Sequence, residues 1–301
     1  MIVRSKPGLW EIAFALNGSI LPRIAGRLVS IALVTAAAVA AARWHPGIFA
    51  QISAMPFTLV GIALSVFMNF RNSACYDRWW EGRKLWGVLI IGCRSLARQT
   101  ARLERQDRER LLLGLCGFAQ GLAARLRGAD EAEAISRHCP GDAWPDWSAS
   151  PNPTNAVLHE VGARCLDLVE AGRLSDIHYS VIETEIVRLS DVQAGCERIA
   201  TTPVPFAYSL LLHRTAYIFC LTLPFALAGL LGWWTMLPVL LVSYTFFGLD
   251  ALGDQLEDPF GLEPNDLPLN AMVRTIEREM LSLLQREELP PTILPDRHVL
   301  A

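Results

Sequence analysis

No charged side chain occurs between residues 216 and 249. A helix needs about 20 apolar residues to cross the ~30 Å hydrocarbon core of a bilayer, and a run this long and uncharged has few other uses. At ~1.5 Å of rise per residue it is too long for one crossing, so it divides in two. Gly232-Trp233-Trp234-Thr235 is the expected turn, with its tryptophans at the membrane interface. Two further apolar runs precede it: residues 28–42, extended backwards past Arg27 by Ile24 and Ala25, and residues 52–70. The first is rich in small residues, as a secretory signal is, but it starts far from residue 1 and a second span follows closely. An uncleaved anchor is therefore expected. The fold class read from this pattern is all-α, an integral membrane protein with four transmembrane helices.

Charge placement orients the spans. Arg4, Lys6, Arg23 and Arg27 precede the first, Arg43 alone lies between the first and second, and the loop between the third and fourth has no Lys or Arg. Positive charge stays inside, so both termini and the long segment 71–202 are expected in the cytoplasm. The expected organisation is a cytoplasmic segment 1–27, transmembrane helices one and two over 28–70, and a helical cytoplasmic region 71–202. Helices three and four follow over 203–252, and an acidic segment with an amphipathic helix and tail over 253–301.

Composition agrees with a membrane protein that has a large polar part: 52% hydrophobic residues and a mean hydropathy of +0.29 stand beside 19% charged residues. The polar part reads as helical. Leu111, Leu112, Leu115, Phe118, Leu122 and Leu126 recur at helix spacing, and a second periodic helix runs from Ser175, an expected N-cap, through Ile177, Val181, Ile182, Ile186 and Leu189. Residues 142–155, with Pro145, Pro151 and Pro153, form a loop. Residues 270–287 make an amphipathic helix with Met272, Ile276, Met280 and Leu283 or Leu284 on one side; no β alternation is visible.

Several function classes are excluded at this stage. A net charge of −3 and a pI near 6.1 offer no basic field for nucleic acid. The seven cysteines contain no C-x-x-C pair and read as free thiols in a reducing compartment; the six histidines show no metal-ligand spacing. There is no G-x-S-x-G, Walker loop, H-E-x-x-H or Rossmann fingerprint, so no enzyme is expected.

Function concentrates where the second apolar run ends. Ile62, Val66 and Phe70 are spaced four apart on one helical face, with Gly61, Ala63, Ser65 and Asn69 between them, and the run passes directly into Arg71 and Asn72. Such a stripe serves either helix packing or an apolar pore constriction that gates by wetting.

Arg71-Asn72, then Tyr76-x-Arg78-Trp79-Trp80-Glu81-Gly82-Arg83 and Leu85-Trp86-Gly87, resembles the signature of the bestrophin family of ion channels. A second block resembles the family's acidic segment: Phe246-Phe247-Gly248-Leu249-Asp250, then Gln255-Leu256-Glu257-Asp258-Pro259-Phe260-Gly261 and Asn265-Asp266-Leu267-Pro268-Leu269. The resemblance implies a homopentamer around one central pore in membrane lipid, conducting small inorganic ions, chloride or monovalent cations. It implies a neck on Ile62, Val66 and Phe70 and a cytoplasmic aperture at Ile177, with Val181 the fallback. The compact length points to a bacterial member in the inner membrane. Arg71 and Asn72, just past Phe70, are expected beside the pore, where they meet ions leaving the neck.

Animal members hold calcium in a clasp whose positions fall here on Gln255, Asp258, Glu263 and Asp266. Leu262, Pro264 and Asn265 interrupt the acidic run, and a local turn built by Asp258 and Asp266 around Pro259, Pro264 and Pro268 is the competing reading. No other cofactor is expected. A membrane-anchored scaffold and a secondary transporter are the alternatives to a channel; the transporter lacks matching helix breaks, since Pro224 interrupts the third span without a counterpart in the first pair.

Overall fold

The computed structural model describes residues 1–3, 8, 18–140, 144, 147 and 149–300. Arg4, Lys6, Asp142 and Pro145, invoked above, lie outside the described residues. Among those described, the structure is helical apart from isolated antiparallel bridges such as Ile2 with Val299. The chain divides into two compact units: Arg4–Trp79 with Pro203–Asp258, and Trp80–Thr202 with Pro259–Ala301 and Met1–Val3.

The first unit is the apolar one. It holds α1 (Leu21–Trp44), the short α2 (Pro46–Phe49), the N-terminal part of α3 (Met55–Gln99), α8 (Phe206–Leu231) and α9 (Met236–Glu257). The expected turn at Gly232 is there as a 3₁₀ turn, Gly232–Thr235, and Gly232 takes a φ of +53° that an L side chain resists. Leu21–Trp44 and Phe206–Glu257 are long and apolar enough to cross a membrane; the first part of α3 is not among the stretches that meet that measure. Ile24, Ile31, Leu64, Met68, Phe219, Val239, Phe246 and Phe247 form the core, joining α1, α3, α8 and α9. Phe219 meets Phe246 edge-on, with centroids 5.6 Å apart. In lipid such packing works by close van der Waals contact, because acyl chains are as apolar as leucine.

The junction at residues 70 and 71, where apolar side chains give way to charged ones, lies inside a helix: α3 runs unbroken for 45 residues, from Met55 to Gln99. No proline follows Pro56 within it, so the i to i−4 ladder continues through the junction.

The second unit is built around α4 (Arg105–Leu126), against which pack α5 (Glu131–Ser136), α6 (Pro153–Glu170), α7 (Asp176–Thr201) and α10 (Leu269–Leu283). Leu111, Leu112, Leu115, Phe118 and Leu122 are buried, as the periodicity predicts. Ser175 caps α7, its hydroxyl accepting from the His178 N–H at 3.2 Å. On α7, Ile182, Ile186 and Leu189 enter the core, whereas Ile177 and Val181 stay outside it. α10 buries Met272, Ile276 and Met280, and it ends at Leu283, earlier than expected, with Gln285 at a φ of 57° beyond it.

All seven cysteines are free and buried. Burial pushes the thiols of Cys139, Cys165 and Cys196 up to about 12, away from the thiolate form that reacts. A maleimide reagent at neutral pH is therefore expected to label no cysteine in the native protein and all seven after denaturation, read by mass spectrometry; rapid native labelling of the Cys139, Cys165 or Cys196 thiol would contradict the burial.

Candidate pore helix and its ion-pair anchor

α3 carries two faces with opposite environments. Leu64, Met68, Arg71 and Cys75, spaced as one helical stripe, are buried in the apolar unit. Ile62, Val66 and Phe70 lie on the other side and are 59%, 48% and 60% exposed. The chain's own helices leave this apolar stripe uncovered. Tyr208 reaches the backbone between them, its hydroxyl donating to the Phe67 carbonyl at 3.1 Å.

Arg71 is corrected by the structure. Expected beside the pore as a charge for passing ions, its side chain is 2% exposed and points into the helix packing. One guanidinium nitrogen donates to Asp250 Oδ1 at 3.1 Å and to the Asp250 carbonyl at 3.3 Å; the other reaches Asp254 Oδ1 at 2.5 Å and Glu257 Oε2 at 3.6 Å. Burial within one chain only deepens on assembly, so this charge is not available to ions. The cause is electrostatic: a charge in apolar surroundings costs several kcal/mol unless paired and hydrogen-bonded. Asp250 is equally buried, at 2%, and takes two more partners, Arg27 Nη1 at 3.4 Å and His213 Nδ1 at 2.8 Å. One carboxylate thus joins α1, α3, α8 and α9.

Asn72, expected beside Arg71, is half-buried, and its Oδ1 is enclosed without a hydrogen-bond partner among the described residues. The approach of α9 to both residues depends on Gly253, where a Cβ would fall 2.6 Å from Asn72 Oδ1 and 3.2 Å from Arg71 Nη1. Sequence reasoning missed these carboxylates as partners of Arg71. Their spacing, 250, 254 and 257, is one helical face, and an arginine at the end of an apolar span demands such a face somewhere.

Gln255 and Asp258 belong to the apolar unit and Glu263 and Asp266 to the other. Asp266 is buried, and it builds a turn: its Oδ2 accepts from the Glu263 N–H at 2.7 Å, while the Asp266 N–H donates to the Glu263 carbonyl at 3.0 Å. The Leu267 N–H closes the loop on the Pro259 carbonyl at 2.8 Å. Phe260 and Leu267 then seat on Gly82 of α3, where a Cβ would lie 3.1 Å from the Phe260 ring and 3.3 Å from Leu267 Cδ1. Among the described residues no three acidic, His or Cys side chains converge as metal ligands. Ile177, at 80% exposure, and Val181 stand on the uncovered face of α7.

The model of the bacterial and fungal bestrophin proteins matches residues 1–282. The chain belongs to the bestrophin family. It is 41% identical over 298 residues, 98% of this chain and 95% of the relative, to a voltage-dependent anion channel-forming protein of Mesorhizobium japonicum. It is 40% identical over 301 residues to the Escherichia coli protein of the same description, covering 99% of each. A crystal structure of a bacterial bestrophin homolog from Klebsiella pneumoniae superposes with a TM-score of 0.84 at 41% identity, over 88% of this chain and 100% of that one. This bestrophin is therefore an all-α membrane protein of a channel-forming family, not an enzyme.

The ion-pair anchor makes a graded prediction. Arg71→Gln removes the guanidinium that pairs with Asp254 and Glu257, leaves the buried Asp250 with Arg27 and His213 alone, and is expected to cost about 3 kcal/mol, the low end for breaking a buried pair. Arg198→Gln removes an exposed pair with Glu81, 2.6 Å apart, and is expected to cost under about 1 kcal/mol. Denaturation of the purified variants in detergent reads both; equal losses would contradict the assignment of Arg71 as an anchor.

Proposed function

We propose that this bestrophin conducts small inorganic ions passively through a pore at the centre of a homopentamer, with Ile62, Val66 and Phe70 as its neck. The observation that carries the proposal is the apolar stripe itself, left uncovered on a helix whose opposite face is packed and ion-paired. Five copies around an axis turn each position into a ring, and a ring of Ile, Val and Phe gates by wetting without a charged filter.

Four spans form the proposed topology: α1, the first part of α3, α8 and α9. Both termini and residues 71–202 lie on the cytoplasmic side, following Arg23 and Arg27 on one flank of α1 against Arg43 alone on the other. Arg43 stacks over the Trp233 ring at 5.7 Å, a pairing suited to the outer interface of the proposed inner membrane. The domain limits given above follow with them, except that the pore helix runs on to Gln99. Ile177 forms the proposed cytoplasmic aperture, with Val181 the next position on the same face. Relatives are named as anion channel formers, which favours anions such as chloride as the permeant species over monovalent cations.

Single-channel recording of variants tests the assignment. Val66→Ala shortens the neck side chain in every subunit and is expected to raise conductance or open time; unchanged currents would remove Val66 from the pore. Ile177→Ala is expected to change permeability ratios with the neck intact. Unaltered ratios would move the aperture to Val181.

A further inference from the structure

Two antiparallel helices of the second unit, α4 and α6, carry one pattern with the charges exchanged. On α4 the face toward α6 holds Asp107, Arg110 and Leu111; on α6 the facing residues are Arg164, Asp167 and Leu168. Each set is spaced i, i+3, i+4, which is one side of a helix. The helices meet tightly at Gly114, where a Cβ would fall 2.6 Å from Val161 Cγ2, and toward the start of α4 the two sets line a cavity of about 250 Å³. Leu111 and Leu168, each 3% exposed, form its apolar floor.

The first charge of each set is already engaged. Asp107 Oδ2 accepts from Arg173 Nη1 at 2.5 Å, and Arg164 Nε donates to Glu160 Oε1 at 2.7 Å. The second charge of each set is not. Arg110, half-buried, and Asp167, exposed, have no hydrogen-bond or ion-pair partner among the described residues, although both line the same cavity. One wall thus offers a guanidinium and the other a carboxylate, too far apart to close on each other as an ion pair. The surrounding charge decides between ligand classes. Arg110, Arg164 and Arg173 stand against Asp107, Asp167, Glu160 and, 3.6 Å from Arg173, Glu104, so no positive excess draws in phosphate or another multiply charged anion. The helix ends agree: the start of α4 favours negative charge and the end of α6 positive charge.

We infer that this cavity binds a small neutral zwitterion of the amino-acid class, its carboxylate on Arg110 and its ammonium on Asp167, with a short side chain over Leu111 and Leu168. A guanidinium presents paired N–H donors to a carboxylate, and an ammonium presents three donors that a carboxylate accepts. At neutral pH an amino acid carries both charges at once. A ligand with one of them alone leaves the opposite wall without its partner. The site lies within the second unit and stands whether or not the pore reading does.

Saturation-transfer NMR on the full-length protein in detergent tests the inference, at low ionic strength, where exposed ion pairs are least screened. The probes are L-alanine and its two halves: propionate, which lacks the ammonium, and ethylamine, which lacks the carboxylate. L-Alanine is expected to bind saturably and at least about threefold more tightly than either half, the order of one partly exposed ion pair. Arg110→Gln is expected to bring L-alanine down to the level of ethylamine, and Asp167→Asn to that of propionate. Asp167 is exposed, so Asp167→Asn is expected to leave Tm unchanged; if Arg110→Gln does not fold, Asp167→Asn decides by the same criterion. Absence of saturable L-alanine binding would overturn the inference. So would equal binding of propionate or inorganic phosphate, the behaviour of a plain anion site, or L-alanine binding that either substitution leaves unchanged.

Discussion

The structure of the apolar unit depends on one buried charge. Arg71 sits one residue past an apolar stripe, where water cannot reach it, and its guanidinium requires carboxylates brought from elsewhere in the chain. Asp250 and Asp254 supply them from α9, and Asp250 in turn collects Arg27 from α1 and His213 from α8. In lipid, van der Waals packing and interhelical hydrogen bonds hold helices together. Leu64 and Met68 supply the first on α3, and the Arg71 ion pair, on the same face, adds the second.

The packing of that face decides what the opposite face can be. Leu64, Met68, Arg71 and Cys75 occupy the packed side, so Ile62, Val66 and Phe70 are left uncovered by the same geometry. The small residue at Gly253 belongs to the arrangement, because any side chain there would push α9 off Arg71 and Asn72. Further along α3, Gly82 accepts Phe260 and Leu267 by the same device. Gly82, Gly253 and Arg71 thus set the surroundings of a helix whose proposed pore face is plain hydrocarbon.

Much of this was legible in the sequence where the cause is local. Ser175 caps α7, the Gly232 turn divides α8 from α9, and Met272, Ile276 and Met280 face inward along α10, because each rests on chemistry within a few residues. The ion pair was not legible in that way. Arg71 and Asp250 are 179 positions apart, and nothing near Arg71 shows that its partner lies in the last apolar helix rather than in solvent. α3 runs on through the change from apolar to charged side chains at residue 71, because the backbone ladder responds to proline and not to polarity. On α7 the spacing places Ile177, Val181, Ile182 and Ile186 on one periodic helix without separating them; packing against α6 and α4 does so.

Single-channel recording of the purified protein in planar bilayers under a potassium chloride gradient tests the proposed function most directly. Discrete current steps are expected, with a reversal potential displaced toward the chloride equilibrium potential. A silent membrane with verified incorporation, at both voltage signs, would contradict the channel and leave a scaffold or a slow carrier; steps that reverse at the potassium potential would keep the channel and contradict anion passage.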